Sequence, residues 1–369
     1  MTLQRQVIFW TTALAVVILA LWLLGDIMLP FIAGLVLAYF LDPVADALER
    51  LGLPRLAATL LILISSIVAF VVLLVLLLPV LGDQIARFAT NLPGYMQALV
   101  GLFNELAPQW LKDMLASSGT NLPASLSDLA GKAAGWLAAI LTSILSGSLA
   151  LVNVLSLLVV TPIVAFYMLN DWDHMVAKVD GWLPRDHHNT VRALALQIDE
   201  AMAGFIRGQG TVCLSLGIFY AVALSIAGLN FGLLIGLGAG LLSFIPYVGT
   251  IIGGVLAIGM ALIQFWPDWV QVLVIIAIFA AGQFIEGNFL SPYLVGNRIG
   301  LHPVWLMFAL FAFGYLFGFV GLLLAVPLAA AVGVLVRFAL QQYLKSPLYL
   351  GVPTQEKPAA PKRRSAAKH

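Results

Sequence analysis

A chain of 369 residues that is 62% hydrophobic and 9% charged, with a mean hydropathy of +1.04, is not a water-soluble domain, in which about 25% of residues are charged. Its net charge of +1 offers no field for nucleic acid, and its single cysteine, Cys213, excludes an intramolecular disulfide and reads as core packing. Several runs reach the roughly 18 uncharged residues that mark a transmembrane helix, so the expected fold is an all-α, polytopic membrane protein.

MTLQRQ precedes an apolar run from Val7 to Leu24. That run exceeds the 7–15 residues or so of a signal-peptide core, and no small-residue cleavage site follows. A retained first helix is expected over 6–25, a second over 27–42 leading into LDPVADALER, and a third over 56–81. Together 1–81 form an N-terminal unit. The stretch 82–135 contains Pro93, Pro108, Pro123 and the amphipathic YMQALVGLFNEL, and reads as a helical cap outside the hydrocarbon. A span over 136–169 and the polar DWDHMVAKVDGWLPRDHHNTVRALALQIDE make a third unit, 136–208. The fourth, 209–345, holds a span at 209–228, a broken segment at 231–263, a span at 269–289 and a long segment at 303–340. Residues 346–369 are a basic, proline-containing tail of the kind that stays disordered.

Lysine and arginine in short flanks set orientation. Arg50 and Arg55 follow the second span; Lys178, Arg185, Arg192 and Arg207 precede the fifth; Arg337, Lys345, Lys357, Lys362, Arg363, Arg364 and Lys368 end the chain. All three groups are placed in the cytoplasm, and Arg5 puts the N-terminus there too.

Two apolar segments carry breaks. FIPYVG, with Phe244, Pro246, Tyr247 and Gly249, lies mid-way in the first, and GYLFGFVG, with Gly314, Phe317, Gly318 and Gly321, lies mid-way in the second. Each is either a kinked spanning helix or a pair of half-helices that enter and leave by one face. As helix, 303–340 would measure roughly 57 Å, against a hydrocarbon core of about 30 Å. Two hairpins also place Arg298 inside and QFWPDW outside, as the positive-inside rule prefers. About six spanning helices plus two re-entrant hairpins are therefore expected. Non-helical backbone at membrane depth needs protein or water around it. The two tips would meet near the midplane, where transporters built on broken helices bind their substrates.

Tyr247 either offers a ring and a hydroxyl to a small polyol or is an interfacial aromatic; Pro246 and Gly249 shape the turn; Phe244 and Phe317 are either apolar walls or ordinary packing. Gln283 and Glu286, three apart, share a helix face. A carboxylate at the centre of a membrane helix costs about 2.5–3.5 kcal/mol, so Glu286 either binds substrate or a cation, with Asn288 assisting, or reaches water near the cytoplasmic end. Gln209 either pairs with hairpin backbone or simply begins a helix. Asp26 and Asp42 flank spans and are expected in solvent. His174, His187, His188 and His302 show no ligand spacing, and no nucleotide loop, nucleophile elbow or pair of catalytic acids is present. No metal, cofactor or enzymatic activity is expected.

Four stretches carry a family resemblance. They are IRGQG with Arg207, Gly208 and Gln209; SFIPYVGTIIG; NFLSPYLVGNRIGLHPVW with Pro292 and Pro303; and GYLFGFVGLLLAVPLAA with Pro327. In this order they resemble the autoinducer-2 exporter family of bacterial inner-membrane proteins. The resemblance implies a homopentamer whose protomers each contain two helical hairpins, exporting autoinducer-2, a small polar sugar derivative, by an elevator-like movement. Some members are linked to sodium–proton exchange, so a monovalent cation–proton antiporter using Glu286 is an alternative. A non-transporting scaffold, docking through 82–135 or the tail, is another.

Overall fold

The structure, a computed structural model, describes residues 27–110, 150–183, 185–246, 248–295 and 302–350, with isolated positions between 12 and 139. Most of the expected first span and of 111–149, Tyr247, Arg298 and the tail beyond 350 lie outside the described residues.

Helix α1 spans Leu29–Arg50, α2 Arg55–Leu106, α3 Ala150–Gly181 and α4 His188–Ile226, the last entered through a 3₁₀ turn at Arg185–His187. Then come α5 (Gly232–Leu242), α6 (Val248–Phe265), α7 (Trp269–Ile285), α8 (Pro303–Leu344) and the short α9 (Pro347–Leu350). The end of α7 widens into a π-helix over Glu286–Val295, which contains Pro292. Among the described residues there is no strand. Six helices among the described residues are long and apolar enough to cross a bilayer. The protein is thus an α-helical, polytopic membrane protein.

Helix α2 does not stop at 81. It passes Pro79 and Pro93 and ends at Leu106, so the first part of the expected cap is continuous with the third span. This extension packs on the entrance to α5. Phe88 and Tyr95 meet Phe231 edge-on, and Gln84 Oε1 accepts a 3.2 Å bond from the Leu234 amide. That amide is one of the N-terminal groups a helix leaves unpaired. Most of the remaining apolar surface of α2, including Leu60, Ile64, Val68 and Phe70, is exposed on the protomer.

Both breaks fold the chain back on itself. A Cβ at Gly249 would run into the Ser243 amide, and one at Gly253 into Ala239. These pairings are symmetric about the turn, which makes α5 and α6 an antiparallel hairpin. Gln264 ties its base: Oε1 accepts from the Asn230 amide and Nε2 donates to the Gly228 carbonyl, both at 2.7 Å. In α8, Gly314 abuts Leu322 and Gly321 abuts the Phe313 carbonyl, pairings that place the reversal within one residue of a single point. That point is Gly318, at φ 60° and ψ −138°, a conformation essentially restricted to glycine. The first arm, 303–317, is short; the second runs to Leu344 with Pro327 fully buried in it.

Two packed groups support the hairpins. Helices α1, α2 and α3 share a core of Ala38, Ala45, Ile62, Leu63, Ala165 and Leu169. Helix α4 lies against α5, with Gly217 on Gly240, around a core that includes Leu216, Tyr220, Ile235, Met260 and Ile275. Arg55 binds the first group polarly, donating to Asp42 (2.9 Å), Asp46 (2.7 Å), Glu49 (3.3 Å) and the Leu169 carbonyl (2.9 Å). Between α3 and α4, Asp180 takes Arg192 and His188. The Arg192 guanidinium holds its carboxyl below the usual carboxylate range.

Gly318→Val should destabilise the detergent-solubilised protein by about 1–3 kcal/mol, because a β-branched residue cannot hold that φ. Gly259→Ala, in open space within α6, should be neutral or stabilising by up to about 1 kcal/mol. Thermal unfolding of the two variants checks this; equal melting temperatures would show that the turn at Gly318 is not required.

Candidate functional site

The segment of α4 from Phe205 to Gln209 is where the two packed groups and both hairpins meet. Phe205 and Ile206 form a buried cluster with Val326 of α8, around which Val36 and Tyr39 of α1, Phe244 and Leu306 pack. Phe205 meets Phe244 edge-on, with ring centroids 5.8 Å apart. Two residues on, Arg207 donates from Nε to the Tyr39 carbonyl (2.6 Å) and from Nη2 to Asp42 (3.0 Å). Gln209 is buried and donates from Nε2 to the Ser243 carbonyl at 2.6 Å. That carbonyl lies at the C-terminal end of α5, where helices leave acceptors unpaired. Gln209 therefore sits mid-helix and pairs with hairpin backbone, the first of its two expected options. Gly208 is buried between these residues.

A second polar cluster lies on the other side of the first hairpin. Gln283 Nε2 donates to Thr250 Oγ1 (2.9 Å) on α6 and to Glu286 Oε2 (2.8 Å). Glu286 and Gln283 are half-buried. The Tyr220 side chain, stacked on Phe279 at 4.5 Å, carries its hydroxyl over Gly282, beside this cluster. Among the described residues that hydroxyl is buried without a hydrogen-bond partner, an open donor that a buried polar group seldom leaves unused. The arrangement can accept a hydroxyl-bearing or cationic guest. Asn288 does not join it: the side chain is exposed and donates to the Phe284 carbonyl of its own helix (3.0 Å).

The expected site residues thus fall into separate places. Phe244, Pro246 and Gly249 form the first turn, next to Gln209, and Gln283 and Glu286 lie behind it. Phe317 stacks on Phe313 (6.5 Å) at the second turn with Gly314, Gly318 and Gly321. The second hairpin reaches Phe244 through its arms, at Leu306 and Val326, while Gly318 and the flanking Tyr315 and Phe319 are exposed. Pro303 opens α8 and Pro292 is exposed on the π-helix.

Sequence reasoning missed a cavity. Below the Phe205 cluster a space of about 740 Å³ opens between α1, α3, α4 and the end of α8, lined in part by Tyr39, Asp42, Asp199, Glu200, Arg207 and Arg337. Asp42, expected in solvent, is instead held by two guanidiniums, Arg55 and Arg207. Tyr39 donates to Asp199 at 2.6 Å. The signal was present: Gln197, Glu200, Gly204 and Arg207 follow the spacing of one helical face. Among the described residues no group of three or more metal-ligating side chains assembles.

Comparison with known proteins fits this architecture. Residues 12–341 match the family described as AI-2E family transporter. YrrI of Bacillus subtilis (strain 168), named as a candidate transport protein, is 31% identical over 318 residues, covering 85% of this chain and 87% of its own. PerM of Escherichia coli (strain K12), named as a candidate permease, is 27% identical over 350 residues, 87% and 90% of the two chains. The AI-2 transport protein TqsA of Escherichia coli (strain K12) is 23% identical over 337 residues, 91% and 92% of the two chains. The chain belongs to the AI-2E transporter family, a family of multi-pass membrane transport proteins.

Proposed function

We propose that this protein is a secondary transporter that exports a small polar metabolite, autoinducer-2 or a close chemical relative, from the cytoplasm. It works as a homopentamer in the bacterial inner membrane, with both termini cytoplasmic, by an elevator-like movement of the core that carries the two hairpins. The observation that carries this reading is the pair of antiparallel fold-backs, at Ser243–Val248 and at Gly318, inside otherwise apolar helices. Both are re-entrant in this reading. Breaks of that kind occur at membrane depth where they line a path for a solute. The name of TqsA, an AI-2 transport protein, supports the choice of cargo. Phe244 and the Gln209-bonded turn form the inner wall of the path, and Tyr247, by its place in the sequence, is a candidate cargo contact. Thr250, Gln283 and Glu286 supply the polar contacts behind it, with the adjacent Tyr220 hydroxyl, unpartnered among the described residues, available to a cargo hydroxyl.

Glu286 supports a second reading, cation–proton exchange, since it is a half-buried carboxylate bonded to Gln283. The two readings separate in inverted membrane vesicles containing the purified protein. The first predicts accumulation of labelled autoinducer-2, lowered about tenfold or more by Glu286→Gln, a change of roughly 1.4 kcal/mol or more. Gln209→Leu should act similarly, because an unpaired buried carbonyl costs about 1–3 kcal/mol. Sodium-dependent collapse of an imposed pH gradient, abolished by Glu286→Gln and unaccompanied by autoinducer-2 uptake, would replace the first reading by the second. Uptake at the parent level in both variants would dismiss the proposed path.

A further inference from the structure

We infer that the cavity between α1, α3, α4 and the end of α8 is a binding vestibule for a small, uncharged, polyhydroxylated solute. As the place where cargo loads, it rests on the transport reading; as a binding site it stands on its own geometry. Its volume, about 740 Å³, falls in the range of roughly 300–1,000 Å³ typical of small-molecule pockets.

Three features set the chemistry. First, charge is nearly balanced: the carboxylates of Asp42, Asp199 and Glu200 face the guanidiniums of Arg207 and Arg337, and Asp42 is also paired with Arg55 from outside the cavity. A solute carrying a net charge gains little from such a lining. Second, donors and acceptors are both left over. Both Asp42 oxygens are used by arginines, but Asp199 has one oxygen engaged by Tyr39, and the Nη1 of Arg207 makes no bond among the described residues. A hydroxyl group both donates and accepts, so vicinal hydroxyls can bridge Asp199 or Glu200 to Arg207 or Arg337. Third, one side is apolar, formed by Leu35, Met168, Leu169, Trp172 and Val334. Trp172 is partly exposed and offers a flat surface to the C–H face of a ring.

The vestibule is closed toward the first hairpin by the Phe205–Phe244 contact and the cluster around it. Arg207 lines the cavity, and Gln209, two residues along the same helix, holds the hairpin turn. A solute that draws Arg207 away from Asp42 therefore acts on the element that fixes Phe244 and Ser243. Occupancy of the vestibule and position of the hairpin share one short helical segment.

The test is direct binding to the full-length, detergent-solubilised protein by calorimetry or native mass spectrometry. The probes are D-ribose as the neutral polyol, D-ribose 5-phosphate as its anionic counterpart and D-glucosamine as a cationic one. Ribose should bind more tightly than either charged probe. Asp199→Asn and Arg337→Gln should each weaken it roughly tenfold, one charge-assisted hydrogen bond being worth about that factor. Lys345→Gln, an exposed change beyond the cavity, should leave it unaltered. Arg337 is itself exposed, so its variant keeps the test valid if Asp199→Asn misfolds. Absence of ribose binding, binding unchanged in Arg337→Gln, or tighter binding of a charged probe each overturns the vestibule. Ribose binding that follows the substitutions in a protein that moves no solute across vesicles would remove the transport reading and uphold the vestibule.

Discussion

An unpaired peptide group in hydrocarbon costs several kcal/mol, and this fold is arranged around that cost. Two of its apolar helices are interrupted, and each interruption needs partners or burial. At the first, the partner is Gln209, whose amide bonds the Ser243 carbonyl from the neighbouring helix. Ser243 contributes a second bond, from its own hydroxyl to the Ala239 carbonyl at 2.8 Å. At the second, the reversal is absorbed by Gly318, and the arms close so tightly that Gly321 lies on the Phe313 carbonyl. The breaks are thus held by specific atoms, which distinguishes them from local fraying.

The same constraint explains why a few residues of α4 carry so many roles. Phe205 and Gln209, four apart, share the helix face that meets the hairpin turn, while Arg207, two from each, projects from the opposite side toward α1. One side chain packs on the hairpin turn, one ties α1, and one satisfies the turn's backbone. Arg207 in turn leans on Asp42, which Arg55 connects to α2 and α3. Polar bonds therefore link the first hairpin, through α4 and α1, to the helices that hold the N-terminal group together. A shift at any point of that chain has consequences at the turn. The polar cluster of Thr250, Gln283 and Glu286 lies on the opposite side of the hairpin and adds a second set of ties to α7.

Much of this was legible in the amino-acid order. The Pro-Tyr step in FIPYVG and the excess length of 303–340 signalled a break in each segment and left a kinked span or a reversal open; the structure folds both back on themselves. The IRGQG stretch stood out, although its partners did not. Helix periodicity is local, and the residues that Arg207 and Gln209 bond lie 165 positions earlier and 34 later. For the same reason Asp42 passed for a solvated flank: nothing nearby in sequence announces two arginines from separate helices. Gly82 and Pro93 suggest a helix boundary near 81, yet helix α2 continues to Leu106, and on that extension Phe88 and Tyr95 pack on Phe231. The cavity was hidden for a related reason, its walls coming from four helices distant in sequence.

The central claim is topological: both reversals enter and leave the bilayer by one face. Cysteine labelling tests it most directly, in a Cys213→Ser background carrying either Trp269→Cys or Arg298→Cys, with a membrane-impermeant maleimide applied to spheroplasts. If both segments are re-entrant, Trp269→Cys labels from outside and Arg298→Cys only after the membrane is opened. The reverse pattern would mean that both segments cross the bilayer, and the proposed solute path would be lost with it.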